Sequence, residues 1–312
     1  MSKKIAVVCG PTACGKTALA VELALALNGE VVSADSMQLY RGLDIGTAKP
    51  TPDETRGVPH HMLDVADPSE DWSVARYVMD AVPAVDDILS RGRLPIVAGG
   101  TGLYIDALIA GREFAPFRPD TGLRRELEDR AAAGLEALYG ELERVDRAAA
   151  ERIHPNDQKR IIRALEVFYT TGSTITRHNE ETKRLPPRYE AVKIGLRFAD
   201  RADMRKRIDA RVDEMFSRGL VEEVRSLMEV LPPSCTAMQA IGYKELSAAL
   251  REGRSLEEAR DEICLRTRQY AKRQLTWFRR DTSIGWYEWG KTSEISDALP
   301  FSTEFLRAHG IG

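Results

Sequence analysis

The sequence has few cysteines, and they form none of the common cysteine motifs. The four of them lie far apart in the 312-residue chain and include no C-x-x-C pair. This spacing argues against a zinc module and a disulfide framework, and it fits a reducing cytoplasm. Long apolar runs are also missing, because no stretch approaches the ~18–20 apolar residues of a membrane span. We therefore expect a cytoplasmic protein that does not enter the membrane.

An excess of either charge is missing as well. The chain has 45 Lys and Arg against 48 Asp and Glu, a net charge of −3. Any nucleic-acid surface must therefore come from local clustering of basic residues. The length exceeds the ~100–200 residues of a typical domain, so we expect a core domain with a second lobe.

Three short strand-like runs, at 5–9, 30–34 and 94–98, are each followed by glycine or aspartate. Helical patterns lie between them, at about 18–27 and 72–90. This alternation predicts an α/β protein with a doubly wound parallel sheet, whose ligands bind at the carboxyl ends of the strands. Lys16, Asp35 and Thr101 all fall at those ends.

From Glu113 to Pro187 the sequence is charged, rich in alanine and free of clear strands. Its limits are Phe117-Arg118-Pro119 and Pro186-Pro187, which are typical breaks between elements. We predict an inserted helical lobe here, with one helix that begins after His154-Pro155-Asn156-Asp157 and ends at Gly172.

After the lobe, alternating apolar residues at 192–198 predict a return to the sheet. Asp200 is positioned to cap a helix that ends at Gly219, and a last long helix is predicted near 256–278. The predicted organisation is residues 1–112 for the first part of a P-loop core, 113–190 for the lobe, and 191–312 for core completion and C-terminal helices.

The strongest motif is a full match to the P-loop pattern G-x-x-x-x-G-K-[ST], placed between a strand and a helix. Its backbone N–H groups and helix N-terminus would hold phosphate, Lys16 would add charge, and Thr17 would place its hydroxyl on Mg²⁺. The predicted phosphate-binding residues are Gly10, Pro11, Thr12, Ala13, Cys14, Gly15, Lys16 and Thr17.

The loop recognises phosphate chains, so ATP is only one candidate ligand. A GTPase would need an Asn-Lys-x-Asp segment, which the sequence lacks. An ATPase would usually end a later strand in a metal-holding Asp. The run at 94–98 ends instead in Gly99-Gly100-Thr101, which argues against a plain hydrolase.

Asp35 and two arginines each have two interpretations. Asp35 follows a strand beside the P-loop, where a carboxylate can act as general base or merely cap a helix. Arg207 and Arg211 lie four residues apart, so both could bind one pyrophosphate, or both could belong to a solvated basic face with Arg205 and Lys206.

A basic segment without acidic residues lies between Arg266 and Arg280 and includes Tyr270, Trp277 and Phe278. Basic groups would follow a phosphate backbone while aromatic rings stack on unpaired bases, as in RNA-loop recognition. An amphipathic helix with Ala271, Leu275 and Phe278 in the core explains the same pattern equally well.

Several longer motifs resemble the bacterial tRNA dimethylallyltransferases and span most of the chain. They follow the P-loop in order at 33–50, 99–104, 156–166, 241–245 and 270–279. The first begins Ser33-Ala34-Asp35-Ser36-Met37, and the last begins Tyr270-Ala271-Lys272-Arg273-Gln274. The motifs near Asp35 and Tyr270 are much more specific than the P-loop.

The resemblance implies transfer of a dimethylallyl group from dimethylallyl diphosphate to N6 of adenosine 37, in tRNAs that read codons beginning with U, with Mg²⁺ as cofactor. It implies that Asp35 is the general base, that Thr101 assists at the reacting centre, and that Arg207 and Arg211 bind the departing pyrophosphate. Thr17 would contact the metal.

The resemblance also implies that the anticodon stem-loop is bound by residues of the core, of the lobe and of the C-terminal part. They are Asp35, Ser36, Met37, Gln38, Thr101, Lys159, Arg160, Arg163, Gly242, Lys244, Lys272, Arg273, Gln274, Trp277 and Arg279. One departure is Cys14, where the family usually has Ser. We expect a monomer, and the alternatives are a small-molecule P-loop kinase and a non-catalytic RNA-binding module gated by nucleotide.

Overall fold

A computed structural model of the protein describes residues 3–111 and 121–312. The strands are β1 (Lys4–Cys9), β2 (Gly29–Ser33), β3 (His60–His61), β4 (Leu94–Gly99), β5 (Glu190–Phe198) and β6 (Gly285–Trp289). The helices are α1 (Lys16–Ala26), α2 (Pro52–Thr55), α3 (Val74–Ser90), α4 (Gly102–Ala110), α5 (Thr121–Ala133), α6 (Leu135–Val145), α7 (Arg147–Ala150), α8 (Gln158–Thr171), α9 (Ile175–Arg184), α10 (Arg201–Ser217), α11 (Leu220–Val230), α12 (Tyr243–Glu252), α13 (Leu256–Phe278) and α14 (Ile295–Ala308).

The strands form one six-stranded sheet in the order β3-β2-β4-β1-β5-β6. Every pairing in it is parallel. The central strand β1 is buried from Ile5 to Cys9, because helices cover both faces of the sheet and an unbroken apolar run suits such a strand. The predicted α/β fold with a doubly wound parallel sheet is confirmed.

Each face of the sheet has its own helical layer. Leu19 and Leu23 of α1 belong to one buried cluster with Leu306 of α14. Elsewhere, α3 and α4 pack together, and the rings of Tyr77 and Tyr104 stack with their centroids 4.2 Å apart. The Tyr77 hydroxyl donates to the carbonyl oxygen of Ser33 at 3.0 Å, which fixes α3 against the end of β2.

Most predicted elements are present, with small shifts at their ends. The helix capped by Asp200 and the long helix at 256–278 are confirmed as α10 and α13. The prediction that α13 is the last long helix is wrong, because β6 and α14 follow it. The two-residue strand β3 was also missed, since so short a segment carries no periodic pattern.

The contacts divide the chain into two compact units, one of residues 1–111 with 188–312 and one of residues 112–187. The second unit has a separate core, which includes Leu138, Leu142 and Ile161. Its helix α8 begins after Asp157, whose carboxylate accepts the N–H of Arg160, and ends at Gly172, so the predicted limits of this helix are confirmed.

The predicted lobe boundaries at Glu113 and at Phe117-Arg118-Pro119 lie outside the described residues. At the other end, the second unit stops at Pro187 rather than at 190, since Arg188 and Tyr189 donate their N–H groups to the carbonyl of Ile109 in the core. Across residues 3–111 and 121–312, no helix is long and apolar enough to cross a membrane.

Candidate functional site

A cavity of about 360 Å³ lies at the carboxyl ends of β1, β2 and β4. This is the edge at which a parallel α/β sheet binds its ligands. The cavity brings together residues from five separate segments of the core, and several are predicted site residues: Thr12, Ala13, Cys14, Gly15, Lys16, Thr17, Asp35, Gln38, Arg207, Arg211 and Gln274.

The P-loop has the backbone shape that its glycines predict. Gly10 has φ +146°, and a side chain there would lie 2.4 Å from the carbonyl oxygen of Leu196. Gly15 caps α1 with φ +85°, so the first N–H groups of α1 face the loop. The Lys16 ammonium donates to the carbonyl of Pro11 at 2.7 Å, which places its charge beside the loop.

The loop is braced from the C-terminal part of the core. The indole N–H of Trp289 donates to the carbonyl of Cys14 at 2.9 Å, and Cys14 is fully buried. Burial raises the pKa of the Cys14 thiol, which keeps it neutral. Cys14 therefore fills space inside the loop. The contact from Trp289 was not predicted, because Trp289 belongs to no recognised sequence motif.

Asp35 both stabilises a turn and faces the cavity. Its Oδ1 accepts the backbone N–H of Met37 at 2.9 Å and of Gln38 at 3.4 Å. Its Oδ2 accepts no hydrogen bond from the described part of the chain, and the residue lines the cavity. The two interpretations of Asp35 are thus compatible, because one oxygen holds the turn and the other remains available for a proton.

Thr101 and Tyr270 lie beside this turn. Thr101 Oγ1 accepts the N–H of Ser36 at 3.2 Å, which ties the end of β4 to the segment after β2. Tyr270 of α13 lines the cavity. Burial raises the pKa of Tyr270 to about 12, and the negative charge of Asp35 acts in the same direction. The hydroxyl of Tyr270 is therefore protonated at neutral pH.

Arg207 and Arg211 both line the cavity from α10, yet their surroundings differ. Arg207 is exposed, whereas the Nε of Arg211 is buried and has no hydrogen-bond partner. Burial lowers the pKa of the Arg211 guanidinium, and Asp35 opposes that effect. Arg211 is therefore not part of a solvated face. A buried unpaired donor beside a phosphate-binding loop is suited to an anionic ligand.

Helix α13 has both features that its sequence indicates, apolar residues in the core and exposed basic residues. Ala271 and Phe278 are buried in the core. Four basic residues on α13 and just beyond its end are exposed and form no ion pair within residues 3–111 and 121–312: Lys272, Arg273, Arg279 and Arg280. We call these four residues the basic stripe. Arg268, by contrast, pairs with Asp209 at 2.5 Å.

Four other predicted tRNA-binding residues differ in their surroundings. Trp277 is 39% exposed, and its indole N–H donates to Asp106 at 3.0 Å. Gly242 is the N-cap of α12 and donates its N–H to Glu245 at 2.8 Å, while Lys244 is exposed. Gln274 is only 5% exposed, so it is not a surface residue of the basic stripe.

The segment after Asp35 is held by its own side chains. Ser36, Met37 and Gln38 are half-buried, and the Gln38 amide donates to the carbonyls of Thr47 and Ala48 at 3.2 and 3.1 Å.

In the second unit, Lys159 and Arg160 are exposed, and Arg160 pairs with Asp157 at 3.2 Å. The half-buried Arg163 lies 3.6 Å from Glu166.

The metal-binding capacity of the cavity is small. Thr17 and Asp35 both line it, and they supply one hydroxyl and one carboxylate. The described residues contain no cluster of three or more His, Cys, Asp or Glu side chains able to hold a metal ion. A donor set of this kind fits Mg²⁺, which keeps several waters and uses substrate phosphates as ligands.

Two family descriptions match the chain: "IPP transferase" over residues 38–281 and "Isopentenyl transferase" over residues 3–71. Curated relatives named tRNA dimethylallyltransferase are similar along most of their length. The protein of Geobacter sulfurreducens is 49% identical, covering 92% of both chains. That of Thermomicrobium roseum is 50% identical, covering 92% of this chain and 86% of the relative.

Two solved structures of enzymes with related names are also similar to this chain. The full-length tRNA isopentenylpyrophosphate transferase of Bacillus halodurans is 42% identical, with a TM-score of 0.72 and 98% of each chain covered. A eukaryotic dimethylallyltransferase, described as acting on tRNA, is 30% identical with a TM-score of 0.85, covering 99% of this chain and 81% of that one. With the P-loop, Asp35 and the arginines of α10 gathered at one cavity, these likenesses show that the chain belongs to the IPP transferase family.

Proposed function

We propose that this protein transfers the dimethylallyl group of dimethylallyl diphosphate to N6 of adenosine 37 in the anticodon loop of tRNAs that read codons beginning with U. The observation that carries the proposal is the meeting of three features in one cavity. These are a P-loop, an aspartate that uses only one carboxylate oxygen to hold its turn, and an arginine whose buried Nε has no hydrogen-bond partner. Family membership favours this function over a kinase or a non-catalytic RNA-binding module.

The diphosphate would lie against the N-terminus of α1. The loop supplies backbone N–H groups, and Lys16 exchanges its contact with the Pro11 carbonyl for a phosphate oxygen. Arg211 and Arg207 approach from α10 and would neutralise charge as it builds on the leaving group. Mg²⁺, held by Thr17 and the diphosphate, would supply further positive charge at those oxygens.

The transfer exchanges one bond to carbon for another and moves one proton. The N6 nitrogen of adenine bonds to the first carbon of the dimethylallyl group while the bond from that carbon to the diphosphate oxygen breaks. The electron pair of the broken bond leaves with diphosphate, and the N6 proton moves to Asp35 Oδ2. Because Met37 and Gln38 bind Oδ1, the carboxylate keeps its orientation during this proton transfer.

The tRNA would be bound largely through its phosphates. The basic stripe supplies positive charge that no acidic side chain in the described residues neutralises, and Trp277 presents an indole ring held by Asp106. The target adenosine must leave its stack to reach the cavity. Lys159 and Arg160 of the second unit supply further exposed charge.

The decisive experiment combines the purified protein with Mg²⁺, dimethylallyl diphosphate and unmodified tRNA, followed by mass analysis of the nucleosides. We expect a prenylated adenosine at position 37. Intact binding of both substrates without this product would rule the function out. Consumption of ATP in the absence of RNA would instead support a kinase.

A further inference from the structure

We propose that Gln274 is a positioning residue that fixes the separation between the diphosphate loop and the Thr101 segment, and so sets the reaction geometry. This inference rests on the proposed function. The family motif implies that Gln274 contacts tRNA. In the structure its side chain is almost fully buried at the wall of the cavity, where it lies between the P-loop and the segment after β4.

The side-chain amide of Gln274 accepts one hydrogen bond and donates another. Its Oε1 accepts the backbone N–H of Thr12 at 2.8 Å. Its Nε2 donates to the carbonyl of Gly100 at 3.0 Å. Thr12 belongs to the P-loop that follows β1, and Gly100 directly precedes Thr101 after β4, so one side chain joins the ends of two neighbouring strands.

The fit around the amide is tight. A Cβ atom at Gly100 would lie 2.1 Å from Nε2, so the Gly100 backbone approaches the amide as closely as a glycine allows. On the buried face of α13, Gln274 is the single polar residue among Ala259, Ile263, Cys264, Ala271 and Phe278. A buried amide is costly unless it is bonded, which restricts both loops to positions that satisfy it.

Gln274 also lies between the segments that would bind the two substrates. The diphosphate would be bound by the loop that holds Thr12, and the adenosine would be received by the segment that Thr101 contacts through Ser36. Neighbouring Lys272 and Arg273 are exposed members of the basic stripe on the same helix. Since reacting atoms must be held about 3–3.5 Å apart, a shift of either loop lowers the rate of transfer more than it lowers binding.

The test compares Gln274→Met, which keeps the shape but forms neither hydrogen bond, with Gln274→Glu, which keeps the acceptor for Thr12 and removes the donor to Gly100. Gln269→Met, at an exposed position of the same helix, is the matched control. Each full-length variant is assayed for kcat and for KM with tRNA and with dimethylallyl diphosphate. Thermal unfolding and binding of inorganic pyrophosphate are measured alongside.

We expect Gln274→Met to lower kcat by roughly 10–100-fold while KM for tRNA changes less than about twofold. Gln274→Glu should in addition weaken pyrophosphate binding, because it brings a negative charge to the loop. If Gln274→Met does not fold, Gln274→Glu still tests the hydrogen bond to Gly100 through its kcat.

Two results would overturn the inference. A raised KM for tRNA with unchanged kcat would make Gln274 a tRNA contact, and a lower melting temperature with unchanged kcat would make it purely structural. Failure of the proposed function is distinguishable from both, since the wild-type protein would then form no prenylated adenosine, whatever residue 274 is.

Discussion

The Tyr243 hydroxyl donates to Glu223 Oε1 at 2.6 Å, and the same carboxylate accepts three consecutive backbone N–H groups, those of Asp44, Ile45 and Gly46, at 2.8–3.1 Å. Glu223 lies on α11 and Tyr243 on α12. Together they anchor the 44–46 segment, whose residue Ile45 lines the cavity. Neither Glu223 nor this anchoring was predicted from the sequence.

Disruption of this anchor should loosen one wall of the cavity. Glu223→Gln replaces one acceptor oxygen by a donor, so it cannot accept all three N–H groups and the Tyr243 hydroxyl. We expect a decrease of about 1–3 kcal/mol in the free energy of unfolding, measured by denaturant titration, together with reduced kcat/KM for tRNA. Glu222→Gln, at the exposed neighbouring position, should change neither quantity.

Substitution of Asp35 should separate chemistry from diphosphate binding. Asp35→Ala removes the base, and we expect kcat to fall by about 10²–10⁴-fold while pyrophosphate binding persists, because the P-loop contacts are retained. Single-turnover product formation and calorimetry measure the two effects. The exposed residue Asp53 provides the control Asp53→Asn. Undiminished turnover in Asp35→Ala would remove this residue from the role of base.

Substitution of Arg211 should have opposite effects with and without ligand. Arg211→Met removes a buried charge whose Nε has no partner, so the ligand-free protein should be at least as stable as the wild type. Pyrophosphate should raise the melting temperature of the wild type and raise it far less in the variant. Arg205→Met, at an exposed position of α10, should respond to pyrophosphate as the wild type does. An equal response in Arg211→Met would contradict a diphosphate contact.

The basic stripe should determine the salt dependence of tRNA binding. The double variant Lys272→Gln with Arg279→Gln removes two exposed cations, so binding should weaken for every tRNA sequence tested. The slope of log K against log salt concentration should become shallower by about 0.7 for each phosphate that the variant no longer neutralises. Filter binding at several salt concentrations measures this. Lys291→Gln, at an exposed lysine beyond β6, should leave the slope unchanged.

Protonation of Glu30 should lower the stability of the folded protein at acid pH. It is 2% exposed and pairs with Arg91, with Arg93 at 2.9 Å and with His61 at 2.7 Å. The hydrogen bond from Arg91, supported by His61, lowers the pKa of Glu30 to about 2 against the opposing effect of burial. Because the folded pKa is depressed, this contribution is fully present above about pH 5 and disappears as the pH falls towards 2.

The corresponding variant is Glu30→Gln, which cannot ionise. The difference in unfolding free energy between wild type and variant should be about 1–3 kcal/mol at pH 7 and should shrink between pH 5 and 2. Glu181→Gln breaks an exposed pair with Arg177 and should cost only ~0.3–0.5 kcal/mol. A difference between wild type and Glu30→Gln that stays constant down to pH 2 would contradict the assigned pKa.

The local features of this protein could be predicted from the sequence because each depends on neighbours in the chain. The P-loop needs glycines at fixed spacing, α8 needs Asp157 before it and Gly172 after it, and α13 needs an unbroken helical pattern. The position of Asp35 at a strand end followed from the same reasoning. The family motifs then indicated a prenyl diphosphate rather than a nucleotide.

Only the tertiary structure determined which distant residues support the site. Trp289 lies 275 residues from Cys14 and Gln274 lies 262 residues from Thr12, yet each forms a hydrogen bond with the P-loop. No periodic pattern in the sequence indicates such pairs, because they depend on which strands and helices become neighbours in the folded chain. The order of residues at 10–17 sets the chemistry of the loop, while the packing of β6, α11 and α13 around the cavity sets how rigidly the loop and its neighbours are held.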